Sequence, residues 1–118
     1  MADSIKITDY VTNVTSNRVY GEPYTQTRSG TAEQHGRMDV GTSEEEITVA
    51  SDIGNLGTVK FVNHDDTNYV EVGVATGVYY TMVPAGESVR TYGPATTGTF
   101  YVKANTASCD LEYHFFEQ

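Results

Sequence analysis

The sequence predicts an all-β fold: an antiparallel β-sandwich, jelly-roll-like, with an extended N-terminal arm. Leucine occurs only twice in 118 residues, while Thr, Val, Tyr and Gly dominate, and this composition is typical of strands and turns. The C-terminal two-thirds alternates apolar and polar residues with period two, which indicates antiparallel strands with one buried face. Turn signals recur every 8–12 residues there, as expected for a sandwich or small barrel.

Six or seven strands are predicted between residues 46 and 118, taken in chain order. They are EITVA (46–50), GTVKFVN (57–63), YVEVGVA (69–75), YYTMV (79–83), SVRTY (88–92), TFYVKAN (99–105) and CDLEYHFFEQ (109–118). In the third of these, Val70, Val72 and Val74 are expected to share the buried face. The four-residue segment Asn105–Ser108 is short enough to predict a tight hairpin.

The N-terminal third has a different character. Ser4–Val11 is a candidate strand, but Gly21–Met38 contains no Ile, Leu, Val or Phe. A segment this polar buries little of its own surface, so it is interpreted as a long loop or as an arm ordered by a partner. We therefore expect two parts: an arm or strand-plus-loop segment at 1–45 and a β-sandwich domain at 46–118.

The charge balance limits the classes of partner. The formal net charge is −9; residues 1–40 carry four basic and five acidic side chains, whereas residues 41–118 carry three and eleven. Such a surface argues against nucleic acid, whose phosphates require a basic face. There is no apolar run long enough to span a membrane and no signal-peptide pattern at the start, so no membrane partner is expected. The single cysteine excludes an internal disulfide.

His64, Asp65 and Asp66 stand side by side and raise the question of an ion site. A zinc site needs three or four converging ligands, and no spacing connects His64 with His35 or His114. The acidic pair also lacks the register and glycine of an EF-hand loop. Asp and Asn favour turns because their side chains bond to nearby backbone, so a turn is preferred over an ion site.

Two other features are candidates for chemistry. Glu44–Glu46 precedes a strand, where adjacent carboxylates point to opposite faces, so a solvated strand edge is preferred over an acid/base pair. Cys109 lies on the apolar face of the last strand and His114 on the other, which favours a core residue over a nucleophile. The chain is therefore expected to have no catalytic, cofactor-binding or metal-binding residues, and no cofactor.

The tyrosines are better candidates for partner contact, because aromatic residues on polar faces are enriched at interfaces. Exposed tyrosines also form stacking platforms for carbohydrates. Together with two arginines of the N-terminal segment, they form the predicted contact set: Tyr10, Tyr20, Tyr24, Arg28, Arg37, Tyr69 and Tyr101.

About half of the chain resembles small structural proteins of tailed bacteriophages. The pattern there is V-x-N-x-D-x-T-N-[YF]-V-E-[VIW]-G, then a P-G-E turn, then Y-x-K-A-x-T-A-x-C-x-L-E. It is matched here by Asn63, Asp65 or Asp66, Thr67, Asn68, Tyr69, Val70, Glu71 and Gly73, and later by Tyr101, Lys103, Ala104, Thr106, Ala107, Cys109, Leu111 and Glu112. The turn departs from the pattern, since Ala85 separates Pro84 from Gly86. Residues 1–45 carry no resemblance.

The resemblance implies a non-enzymatic β-sandwich component of a virion. The leading expectation is a capsid cement or decoration protein that binds the major capsid protein and itself, as a dimer or trimer. It would be made in the host bacterial cytoplasm and lie on the outer capsid surface of the virion. A tail, neck or baseplate accessory protein is the first alternative, and a carbohydrate-binding β-sandwich module is the second.

Overall fold

The computed structural model describes residues 3–8, 11–21, 24–93 and 98–118, and their regular structure consists of β-strands. No helix among them has the length and apolar character of a membrane span. The strands are β1 (Asp3–Ile7), β2 (Val11–Asn13), β3 (Arg18–Tyr20), β4 (Tyr24–Arg28), β5 (Glu33–Val40), β6 (Glu45–Thr48), β7 (Leu56–Asn63), β8 (Val70–Gly73), β9 (Thr81–Val83), β10 (Ser88–Tyr92), β11 (Thr99–Ala104) and β12 (Cys109–Glu117).

The last eight strands form two four-stranded antiparallel sheets. Sheet 1 has the order β10-β7-β12-β5, and sheet 2 has the order β6-β11-β8-β9. Every connection from β5 to β12 passes from one sheet to the other, except the one between β8 and β9. This connectivity is that of a jelly roll, so the predicted fold class is confirmed.

The core lies between the two sheets and is built from the inward positions of the alternating strands. Phe61 and Phe115 from sheet 1 meet Phe100 from sheet 2, and all three are fully buried. Their ring centroids lie 5.0–6.0 Å apart, within the range in which aromatic pairs add stability beyond their buried area. Valine, leucine and isoleucine side chains from both sheets fill the space around them.

Strand β5 corrects the interpretation of Gly21–Met38 as loop or arm. Its eight residues pair with β12 along their whole length, and every second side chain turns inward. The inward positions of its second half, Met38 and Val40, belong to the core, whereas those of its first half, Gln34 and Gly36, are polar or small. There the partner strand supplies the missing apolar surface: the Tyr113 ring covers Gly36, where an added Cβ would lie 2.3 Å from the tyrosine Oη. A sandwich strand without Ile, Leu or Phe is possible because its neighbour carries the bulk.

Two smaller predictions are also corrected. Asn105–Ser108 is not a hairpin, because β11 and β12 lie in different sheets and the segment crosses between them. Val70 and Val72 are fully buried, but Val74 is 39% exposed. Strand β8 ends at Gly73, so the period-two alternation no longer applies to Val74.

The chain divides into two compact units, Met1–Thr31 and Ala32–Gln118. The division falls before β5 and so differs from the predicted boundary at residues 45 and 46. In the first unit β1 pairs with β4, and β2 pairs with β3 to form a short hairpin. Asn17, at the turn of that hairpin, has a φ of 57°, a left-handed conformation that asparagine tolerates.

Candidate functional site

The stretch His64–Asn68 forms the turn that joins sheet 1 to sheet 2. One carboxylate oxygen of Asp65 accepts hydrogen bonds from the backbone N–H groups of Thr67 (3.0 Å) and Asn68 (2.6 Å). These bonds hold the pKa of Asp65 below its ordinary value, because they stabilise the charged form. The turn interpretation of this motif is confirmed.

Asn63, at the end of β7, connects this turn to the rest of the sandwich. Its side chain is 1% exposed. The amide nitrogen donates to the carbonyl oxygens of Asn68 (2.8 Å) and Val83 (3.1 Å), and the amide oxygen accepts from Asp65 N–H (3.0 Å). One buried side chain therefore joins the turn after β7 to the end of β9.

The same end of the sandwich includes the β11–β12 connection. Thr106 Oγ1 donates to the Asn68 side-chain oxygen at 2.6 Å, and Tyr69 N–H donates to the Asn105 side-chain oxygen at 2.9 Å. Many of the residues that carry the phage resemblance thus hold one loop against another. They build the fold and are not free to bind a ligand while they do so.

A second feature is the β8–β9 loop, which folds back over Gly73. A Cβ at that position would lie 1.9 Å from the carbonyl oxygen of Val78, so only glycine allows the approach. One oxygen of Glu44 fixes the loop by accepting from Gly77 N–H at 2.8 Å and Tyr79 Oη–H at 2.5 Å. The Glu44 carboxylate raises the pKa of Tyr79 to about 12.

An open groove lies beside this loop on the outer side of sheet 2. Its volume is about 570 Å³, and its lining includes Tyr69, Tyr79 and Tyr80 together with Glu71 and Met82. Tyr80 and Met82 are 46% and 49% exposed. Flat aromatic surfaces beside a carboxylate are suited to a polar ligand with an apolar face.

The acidic segment before β6 has a structural role. Strand β6 is the edge strand of sheet 2, as the sequence predicted. The sequence did not predict the hydrogen-bond partners of these glutamates. Glu44 holds the β8–β9 loop, as described above, and Glu45 accepts a hydrogen bond of 2.5 Å from Gly41 N–H. Both carboxylates therefore fix loops, and they do not face each other across a cleft.

Cys109 is fully buried, and burial raises the pKa of its thiol. It lies at the inward start of β12, while His114 lies on the outward face of the same strand. A thiol in this environment is not activated as a nucleophile, and the interpretation as a core residue is confirmed.

The predicted contact residues have different outcomes. Tyr10 lies outside the described residues, and Tyr20 and Tyr24 are described only as backbone positions in β3 and β4. Arg28 is a correction: it is 3% exposed, so its side chain is not available to a partner in this conformation. Tyr69 is half-buried in the groove described above.

The remaining two predicted contact residues, Tyr101 and Arg37, lie on opposite sheets. Tyr101 is half-buried on the outer face of sheet 2, where it pairs with Gly73 and Glu46. Arg37 lies on the outer face of sheet 1 and makes a bidentate ion pair with Asp110, at 2.8 and 2.6 Å. This pair lowers the pKa of Asp110 and raises that of Arg37.

The structure also brings together all three histidines of the chain on the outer face of sheet 1, which their sequence spacing did not predict. A scan of protein-family models and a search of curated proteins gave no match to this chain.

Proposed function

We propose that this protein is a capsid cement protein of a tailed bacteriophage, which binds and stabilises the lattice of the major capsid protein. The observation that carries the proposal is the β2–β3 hairpin of the first unit. Val11, Val14 and Val19 on this hairpin are 70%, 86% and 58% exposed. A two-stranded hairpin is marginally stable alone in water, so three exposed valines indicate a surface that becomes buried on a partner.

The distribution of charge also supports a contact role for the first unit and an exposed position for the jelly roll. Residues 1–31 carry three basic and three acidic side chains, so the whole net charge of −9 belongs to residues 32–118. A unit without net charge that exposes apolar side chains suits a protein contact, whereas an acidic jelly roll suits exposure to solvent. Binding only to the assembled shell, at many equivalent sites, would stabilise the shell by mass action.

The test replaces the three exposed valines by serine in the full-length chain and measures co-sedimentation with undecorated capsid shells. Each valine that becomes fully buried contributes about 1.5 kcal/mol or more, so affinity should fall about tenfold for each. Val78→Ser is the matched control, because Val78 is 63% exposed on the jelly roll. Wild-type affinity in the triple variant would contradict the hairpin as the contact surface, and absence of binding by the wild-type protein would contradict the cement proposal itself.

The number of copies in a virion separates cement from the alternative of a tail, neck or baseplate accessory protein. Hundreds of copies, measured by quantitative mass spectrometry of purified particles, support the cement proposal. A handful would favour the accessory role. A protein of the capsid lattice is also expected to self-associate as a dimer or trimer, which sedimentation analysis of the isolated protein measures.

The tyrosine-lined groove favours a second candidate, a carbohydrate-binding module. Its volume lies in the range of small-molecule sites, and the tyrosine rings offer stacking surfaces. This candidate predicts glycan affinity in the isolated protein that is lost in Tyr69→Ala. Glycan binding without capsid binding would favour it over the cement proposal.

A further inference from the structure

The three histidines form a row with two glutamates on the outer face of sheet 1. His35 of β5 lies directly opposite His114 of β12. Their ring centroids are 4.9 Å apart, and the two Nδ1 atoms approach to 2.6 Å. The third, His64, follows β7 and bonds to Glu112 at 2.7 Å.

The other nitrogen of each paired ring faces a carboxylate. His35 Nε2 lies 2.9 Å from Glu33 Oε1, and His114 Nε2 bonds to Glu112 Oε2. An ionised carboxylate only accepts hydrogen bonds, so each Nε2 carries a hydrogen. In the neutral rings both Nδ1 atoms therefore present lone pairs to each other, and this approach is favourable only with a proton or a metal ion between them.

We propose that His35 and His114 bind a divalent transition-metal ion, of the class of Zn²⁺, Ni²⁺ and Cu²⁺, through their Nδ1 atoms. Imidazole nitrogen is a preferred ligand of these ions. Metal–nitrogen distances of about 2.0–2.1 Å place two ligands at a tetrahedral metal about 3.4 Å apart. The rings reach that separation by opening less than about 1 Å, since both lie on the outer face of the sheet.

The carboxylates behind the rings match the outer shell of known sites of this kind. A histidine ligand usually donates its other N–H to a carboxylate, which fixes the tautomer and raises the basicity of the ligand. Glu33 and Glu112 occupy these positions for the two rings. Two independent carboxylate–imidazole pairs converging on one point are the geometry that distinguishes this site from an ordinary surface histidine.

The surroundings leave the site open and negative. The side chains of His35 and His114 are 46% and 27% exposed, so an ion has access from solvent. The neighbouring Arg37 is engaged by Asp110, and Lys60, which pairs with His114 from β7, is exposed. Among the described residues no group of three or more His, Cys, Asp or Glu side chains is placed to hold a metal ion together, so the proposed site has two protein ligands and leaves its other coordination positions to water.

The experiment is calorimetric titration of the full-length protein with Zn²⁺, and the expected result is one ion per chain. His35→Asn and His114→Asn should each weaken binding by at least about tenfold, and Glu33→Gln by about tenfold as an outer-shell change. His64→Asn is the matched control, since it removes a histidine from the same face but leaves the Nδ1 pair intact. Far-UV circular dichroism verifies that each variant is folded.

Three results would overturn the proposal. Absence of binding at millimolar Zn²⁺ would mean that the cation between the rings is a shared proton only. Equal affinity in the His64, His35 and His114 variants, or equal binding of Mg²⁺, would place the ion on carboxylates elsewhere, because Mg²⁺ prefers oxygen ligands. Nitrogen-15 NMR of the imidazoles gives an independent readout: Zn²⁺ should shift the Nδ1 resonances of His35 and His114 far more than those of His64.

Discussion

Replacing Asn63 by alanine tests whether the loop network at one end of the jelly roll stabilises the fold. The substitution removes three hydrogen bonds from a side chain that is 1% exposed. Each contributes about 1 kcal/mol net, so a loss of about 3 kcal/mol in the free energy of unfolding is expected. Water can reach the freed groups of the half-buried Asp65 and Asn68, whereas the carbonyl of the fully buried Val83 loses this bond without access to solvent.

The assay is urea unfolding followed by far-UV circular dichroism, because the chain has no tryptophan. A loss of about 3 kcal/mol also predicts a fall in Tm of about 10 °C. Asn55→Ala is the matched control: Asn55 is exposed, and the hydrogen bond that its carbonyl accepts from Gln118 N–H is a backbone bond that the substitution leaves intact. A surface change of this kind should stay within about 0.5 kcal/mol.

A loss below about 1 kcal/mol for Asn63→Ala, or a loss equal to that of the control, would refute the reasoning. It would mean that the three bonds are exchanged for equivalent bonds to water. An unchanged denaturant midpoint with a changed m-value would point instead to an effect on the unfolded state.

Two further predictions concern the β8–β9 loop. Gly73→Ala should destabilise the protein by about 1–3 kcal/mol, because the new Cβ would lie 1.9 Å from Val78 O. Gly98→Ala is the control, since an added Cβ there meets nothing within 4 Å. Equal Tm values for the two variants would contradict the prediction. The raised pKa of Tyr79, about 12 against an ordinary 10.0, means that its bond to Glu44 stabilises the fold fully below pH 10 and is lost as pH rises through about 12. An absorbance titration of the tyrosines should therefore show one deprotonation step near pH 12. This step should be absent in Tyr79→Phe and should move towards pH 10 in Glu44→Gln. A step near pH 12 that persists in both variants would contradict this assignment.

Seven of the eight jelly-roll strands were predictable, four from their own period-two signal and three from the turn signals that flank them. Strand β5 was not, because its first two inward positions, Gln34 and Gly36, are polar or small, and the apolar cover over Gly36 comes from Tyr113 on another strand. Local sequence does not contain that information. The same reason explains the failed hairpin at Asn105–Ser108: its length fits a hairpin, but the partner of each strand is chosen by the packing of the whole core.

The row of histidines on sheet 1 is a second feature that the sequence alone did not predict. His35, His64 and His114 are separated by 29 and 50 residues, and no spacing rule connects them. They meet because the register of β5 against β12 places two of them opposite each other, and because β7 ends beside Glu112. A register is set by the sum of many core contacts, so a site that depends on it becomes visible only in the fold.

The loop network also limits what the phage resemblance can support. Asn63, Asp65 and Asn68 bond to one another or to neighbouring loops, Gly73 is required by a close backbone approach, and Cys109 is buried. The fold itself therefore explains why these residue types occur at these positions. Proteins with the same residues can have the same loop contacts at the end of a jelly roll without having the same partner. The proposal of a capsid partner accordingly depends on the other unit, where the exposed valines of the β2–β3 hairpin have no such explanation within the fold. If the valine variants bind capsids as the wild-type protein does, the contact surface lies elsewhere in the molecule. If the wild-type protein does not bind capsids, the resemblance supports only a shared jelly-roll fold.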